Sequence, residues 1–179
     1  MGCSSKQLRD NNGYSDPTYV IFDGDEDDWA YRFMKGWNAS ENVSFEFANA
    51  HDLDNMTSRA QDEDYVKRNL RNRMNGSSQV LVLIGEKTKN LFRFVRWEME
   101  LALDLGLPIV AANLNGSRQQ DASCPPIIRD KCVVHVPFKM KAIKHALAHW
   151  PNEFHRLSNA QRANSARSYG ETTYRNLGL

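Results

Sequence analysis

Paired cysteines, a long apolar run and an imbalance of charge are all missing from this sequence, and each absence removes a class of protein. The three cysteines, Cys3, Cys124 and Cys132, form an odd set without CxxC spacing. That argues against a disulfide framework or a thiolate zinc site and favours a reducing cytoplasm. No apolar stretch approaches the roughly 18 residues that a bilayer span needs, and the first residues carry no signal-peptide core. Lysine and arginine number 23 against 22 acids, a net charge of +1, so no polycationic surface is on offer for nucleic acid or membrane. Walker-type and GxGxxG loops are absent as well. Met1-Gly2-Cys3 hints at acylation, but Lys6 stands where the myristoylation pattern wants Ser or Thr.

What is present fits one domain. The 179 residues suffice for a real core and fall short of two ordinary domains. Residues 1–17 are polar and rich in Asn, Ser, Asp and Gly, a loose lead-in. A domain is expected over residues 18–151, and a polar tail, 152–179, is expected to dock on it. Tyr19-Val20-Ile21-Phe22 reads as a short buried strand, broken by the acidic run Asp23-Gly24-Asp25-Glu26-Asp27-Asp28. Trp29, Phe33, Met34 and Trp37 then recur at helical spacing. Val43, Phe45 and Phe47 alternate with Ser44, Glu46 and Ala48, which suits a strand at a sheet edge. A polar loop, Asn49 to Asn55, leads to a helix over Asp62–Met74, acidic at its start and basic at its end. The apolar run Val80-Leu81-Val82-Leu83-Ile84 is a third strand, followed by a helix over Asn90–Leu105. Gly106 is placed to cap that helix, Leu107–Asn113 is a fourth strand and Cys132–Val136 a fifth. A closing helix carries Met140, Ile143, Ala146, Leu147 and Trp150 and is expected to end at Pro151.

Strands that alternate with helices call for a parallel α/β sheet covered on both faces. Two fully apolar strands and one alternating strand favour the order 2-1-3-4-5, with strands 2 and 5 at the edges. Ligands of such sheets bind beyond the carboxyl ends of the strands, at the switch point between strands 1 and 3. That rule selects Phe22 to Asp28, Gly85 to Thr88 and the first turns of the helix after strand 3. The loop from Asn49 to Asp52 could close over the same crevice.

One residue of that helix is out of character. At about 100° per residue, Leu91, Phe94, Val95, Glu98, Ala102 and Leu105 share one stripe, so a carboxylate lies on the face that should meet the sheet. Glu100 points elsewhere, beside Arg93, Arg96, Trp97 and Asp104, and reads as solvated. A lone carboxylate at a nucleotide-sized crevice can stabilise the ribosyl cation formed when an N-glycosidic bond breaks. A pyridinium departs neutral and needs no proton, which makes NAD a natural substrate for a one-glutamate site. The bland alternative is a structural ion pair between Glu98 and Arg93 or Lys87. Asp25 or Asp27 could equally cap the first helix.

Six blocks together resemble a bacterial TIR-like family, that of the Thoeris anti-phage system. They are Phe22-Asp23-Gly24-Asp25, Asn49-Ala50-His51-Asp52-Leu53, Gly85-Glu86-Lys87-Thr88, Phe94-Val95-Arg96-Trp97-Glu98, Asn113-Leu114-Asn115-Gly116 and Cys124 to Lys131. The likeness runs from about Tyr19 to Trp150. It implies a flavodoxin-like TIR fold with a five-stranded parallel sheet. It also implies an enzyme that cleaves NAD, releases nicotinamide and makes an ADP-ribose-derived signal, cyclic or conjugated, that activates a separate effector protein. In such a family the essential glutamate closes an aromatic-Val-Arg-aromatic-Glu motif, here Glu98. The resemblance further implies that Phe22, Asp23, Gly24 and Asp25 line the ribose and nicotinamide side. Asn49, His51 and Asp52 would lie in the loop after strand 2, Lys87 and Trp97 beside the catalytic helix, and Asn113 and Asn115 toward the other nucleotide end. NAD enters as substrate, no metal is implied, and self-association and a phage-derived activator are the expected partners.

Competing readings are separable. A receiver domain needs an aspartate at the end of strand 3, and Ile84-Gly85-Glu86-Lys87-Thr88 supplies none. A nucleoside deoxyribosyltransferase-like enzyme would exchange bases on deoxynucleosides, and a non-catalytic TIR adaptor would use its loops for association. His145 and His149 share a helix face at metal-compatible spacing but lack a third ligand.

Overall fold

The computed structural model describes residues 17–40, 47–48, 63–90, 94–163 and 165–179. The elements run β1 (Thr18–Ile21), α1 (Asp28–Ser40), β2 (Phe47–Ala48), α2 (Glu63–Met74), β3 (Gln79–Ile84), a 3-10 turn (Thr88–Asn90), α3 (Phe94–Asp104), β4 (Ile109–Asn113) and β5 (Val133–Pro137). They continue as α4 (Met140–Arg156), α5 (Asn159–Arg162), β6 (Arg167–Ser168) and α6 (Glu171–Asn176). Every strand pairing is parallel and the order is β2-β1-β3-β4-β5-β6. The α/β class and the order 2-1-3-4-5 therefore hold.

A sixth strand extends the expected sheet. Val134 pairs with Arg167 and His135 with Ser168, so β5 is internal and the tail supplies the edge. Two residues are too few for an alternating pattern to register, and neither is apolar. The tail is anchored further by Tyr174, fully buried in the core. Arg118 donates to both carboxylate oxygens of Glu171, at 2.9 and 2.8 Å, and lies 4.3 Å from the Tyr174 ring centre.

Because the strands alternate, the sheet sorts its side chains onto two faces. Val20, Phe22, Leu81, Leu83, Val110, Ala112, Val134 and Val136 meet α1, α4 and α6. Tyr19, Ile21, Val80, Val82, Ile84, Ile109, Ala111 and Val133 meet α2, α3 and the segment holding Cys124 and Ile128.

Three expectations change. Helix α4 does not end at Pro151 but runs on to Arg156. Proline removes one helical N–H, yet Trp150 and Phe154 are both buried, with ring centres 5.9 Å apart, and their burial carries the helix onward. In α1 the buried stripe is Ala30, Tyr31 and Met34, whereas Trp29 and Phe33 are 54% and 58% exposed. In α3, which starts at Phe94 rather than Asn90, Phe94 is exposed and Leu105 only half-buried; Met99 and Leu101 fill the core instead. The helix closes as expected at Gly106 (φ 65°), where Leu107 N–H donates to Ala102 O and Gly106 N–H to Leu103 O, both at 3.0 Å. That pair of bonds is the Schellman motif. Val43 to Glu46 of the expected second strand, and the lead-in before Pro17, lie outside the described residues.

Candidate active site

Helix α3 packs on β1 and α2, and its buried stripe brings Glu98 inside. Glu98 is 5% exposed, and its Oε1 accepts a hydrogen bond from the Tyr19 hydroxyl at 2.7 Å. Burial pushes its carboxyl up to about 7, against the Tyr19 hydrogen bond and the positive charge of Arg73, which both favour the ionised form. Burial also raises the Tyr19 phenol strongly, and the neighbouring Glu98 adds to it. Tyr19 is therefore the donor of this pair, with its phenol held protonated. The expected ion pair with Lys87 is not formed, because Lys87 bridges to Glu26 on the exposed rim. Arg93 lies outside the described residues. Glu100 pairs with Arg96 at 2.8 Å on the half-exposed face.

At the switch point itself the loops after β1 and β3 are bolted together. Asp27, directly before α1, is buried; the Thr88 hydroxyl donates to its Oδ2 at 3.2 Å and accepts from Gly85 N–H at 2.8 Å. A Cβ on Gly85 would land on the Asp27 carboxylate, so glycine is needed there for close approach. Burial raises the Asp27 carboxyl, the Thr88 bond opposes this, Asp23 and Glu26 add to it and the Gly85 N–H opposes it again. Asp27 thus precedes the helix, as a cap would, but spends its side chain across the crevice.

The remaining site residues separate. Phe22 is buried on the opposite face from Glu98 and stacks on Tyr31 at 4.7 Å, which leaves it no surface at the crevice. Asp23 is buried and accepts from Asp25 N–H at 3.0 Å, while Gly24 and Asp25 are exposed at the turn. Trp97 turns toward α2, with Lys67 5.0 Å from its ring centre. Together with Leu70, Arg71, Glu100, Leu101 and Asp104 they line a groove of about 150 Å³, to which Glu98 does not contribute. Asn113 donates to Ser117 O and Gln119 O at 2.9 and 3.1 Å, and Asn115 donates to Asp121 at 2.7 Å. Both asparagines thus shape the loop after β4. Asn49, His51 and Asp52 lie outside the described residues.

Two buried groups escaped the sequence reading. Tyr19 looked like core, although a buried phenol wants a partner for its hydroxyl and that was the available signal. His135 is fully buried on β5, with neither ring nitrogen hydrogen-bonded among the described residues. Burial lowers it to about 4, with Asp121 opposing. Its signal was a lone polar residue among Val133, Val134 and Val136. Among the described residues no cluster of three or more metal-ligating side chains occurs, and no helix is long and apolar enough to cross a membrane.

An all-parallel sheet of this order defines a flavodoxin-like α/β domain. A family model for the TIR-like domain of the Thoeris protein ThsB matches residues 19–119, more than half of the chain. The chain belongs to that family and is a TIR domain of anti-phage defence. The match stops short of Trp150, so β5, β6 and the closing helices are supplied by the fold alone. No curated protein matches the chain.

Proposed function

We propose that this TIR domain cleaves the nicotinamide–ribose bond of NAD, with Glu98 as the catalytic carboxylate. The observation that supports the reading most is Glu98 itself, desolvated on α3 inside the segment matched by the family model. In a dry setting a carboxylate stabilises a developing ribosyl cation far better than in water, and neutral nicotinamide leaves without a proton donor. The ADP-ribose moiety then passes to water, to a group within the same molecule or to a second acceptor. A cyclic or conjugated product of this kind is the signal read by a separate effector protein. Glu98 is only 5% exposed, so substrate has to gain access to it, and self-association or a phage-derived activator is the agent proposed to open the site. The reaction uses no metal and takes place in the cytoplasm.

The same burial favours a second reading, a non-catalytic TIR module in which Glu98 is structural and the exposed Trp29 and Phe33 serve association. Incubating the protein with NAD, alone and in phage-infected cells, and measuring nicotinamide and ADP-ribose-derived products decides between them. Turnover that is lost in Glu98→Gln supports the enzyme. Equal turnover in the variant removes Glu98 from the catalytic role, and no turnover in the wild type under either condition supports the module.

A further inference from the structure

We infer that Tyr19 is the positioning residue of the site, its hydroxyl fixing one oxygen of the Glu98 carboxylate and favouring the charged form that the proposed cleavage needs. The inference rests on the NAD reading above and deepens it by assigning a role to a residue of β1.

The geometry is specific. Tyr19 is fully buried at the start of β1, and its ring spans the interface between the sheet and α3 to place the hydroxyl 2.7 Å from Glu98 Oε1. Among the described residues the groups that act on Glu98 come from two elements: the Tyr19 hydroxyl from β1 and the Arg73 charge from α2. To this face β3 brings only Val80, Val82 and Ile84. Arg73 acts through space and Tyr19 through a directed bond, so Tyr19 fixes which oxygen is engaged and how the carboxylate is turned. A hydroxyl that only donates suits an anion, since a phenol beside a carboxylate cannot give up its proton without putting two negative charges together in the core. Phenylalanine would fill the space equally well, so packing alone does not require the hydroxyl.

The test is Tyr19→Phe, read first without any reaction. Following the Glu98 carboxyl signal by carbon-13 NMR against pH, with Glu98→Gln to assign it, the midpoint should rise by about one pH unit in the variant. With NAD as substrate, the acid limb of turnover should move up by the same amount, an approximately tenfold loss on that limb that is regained at higher pH. Placing 3-fluorotyrosine at position 19 makes the donor more acidic and should move both midpoints down, and this second variant keeps the aromatic packing if Tyr19→Phe folds poorly. An unmoved Glu98 midpoint overturns the inference. So does a fall in turnover that is uniform across pH, which is what a purely structural residue gives. Wild-type turnover in Glu98→Gln would instead overturn the NAD reading, while the NMR midpoints still report whether Tyr19 controls Glu98.

Discussion

On the face of the sheet covered by α1 and α4, the strands present Val20, Phe22, Leu81, Leu83, Val110, Ala112, Val134 and Val136, and the helices answer with Ala30, Met34, Ile143, Leu147 and Trp150. On the face covered by α2 and α3, the alternate positions of the same strands include Tyr19 and His135, and α3 adds Glu98. The first face is held mainly by apolar burial and carries no buried carboxylate or imidazole among the described residues. The second contains ionisable groups displaced from their ordinary range by desolvation, in opposite senses: Glu98 and Tyr19 upward, His135 downward. One layer of backbone thus supports an apolar half and a half with buried ionisable groups, and perturbed pKa values cluster at functional sites.

The largest effect expected is on chemistry. Glu98→Gln keeps the shape and an acceptor for Tyr19 but removes the charge, and nicotinamide release should fall by about 100-fold or more. On the apolar face, Leu83→Ala should cost about 2–5 kcal/mol in denaturant unfolding, with no change in the pH at which stability varies. A shifted pH profile in that variant would break the contrast between the faces.

Glu98→Gln should also act on stability, with a sign that follows from the proton count. The folded carboxyl sits at about 7 against 4.5 for the free group, so the folded state holds a proton that the unfolded state releases. Stability therefore falls as pH rises through this window. The glutamine variant should be more stable than wild type at pH 8, by roughly 3 kcal/mol, and equal to it near pH 4. Thermal melting across that range measures the difference, and a less stable variant at pH 8 would show that the buried charge is better compensated than Tyr19 and Arg73 provide.

His135 gives the smallest and opposite effect. Its folded value is lowered to about 4 from 6.5, so the unfolded state takes up a proton that the folded state refuses, and stability is lost as pH falls from 6.5 toward 4. His135→Leu should remove roughly 2 kcal/mol of the loss between pH 7 and pH 5. An unchanged acid limb of the melting profile would mean that His135 finds a partner when charged.

The strand order was legible because its causes are local and repeated. Apolar runs at β1, β3 and β4, and crossovers long enough for helices, leave few sheets to choose from. Glu98 was legible because a charge among Val95, Met99 and Ala102 violates helical patterning. Less visible were features that depend on partners distant in the chain. Tyr19 and Glu98 are 79 residues apart, and Thr88 and Asp27 are 61 apart. Phe22 was assigned to the crevice by its place after β1, but the strand's alternation turned it to the other face, against Tyr31. The asparagines Asn113 and Asn115 were assigned to a ligand and are engaged by their own loop.

By itself the sequence determined the α/β class, the parallel order of the first five strands, the helix closure at Gly106 and the anomaly at Glu98, since each is written in short-range periodicity and composition. Only the tertiary structure decided that the polar tail adds a sixth strand, that Asp27 and Thr88 lock the switch point, and that the Glu98 carboxylate is buried against Tyr19. Those outcomes rest on the desolvation and hydrogen bonding of groups that meet only when the sheet has formed, and no local pattern carries that information.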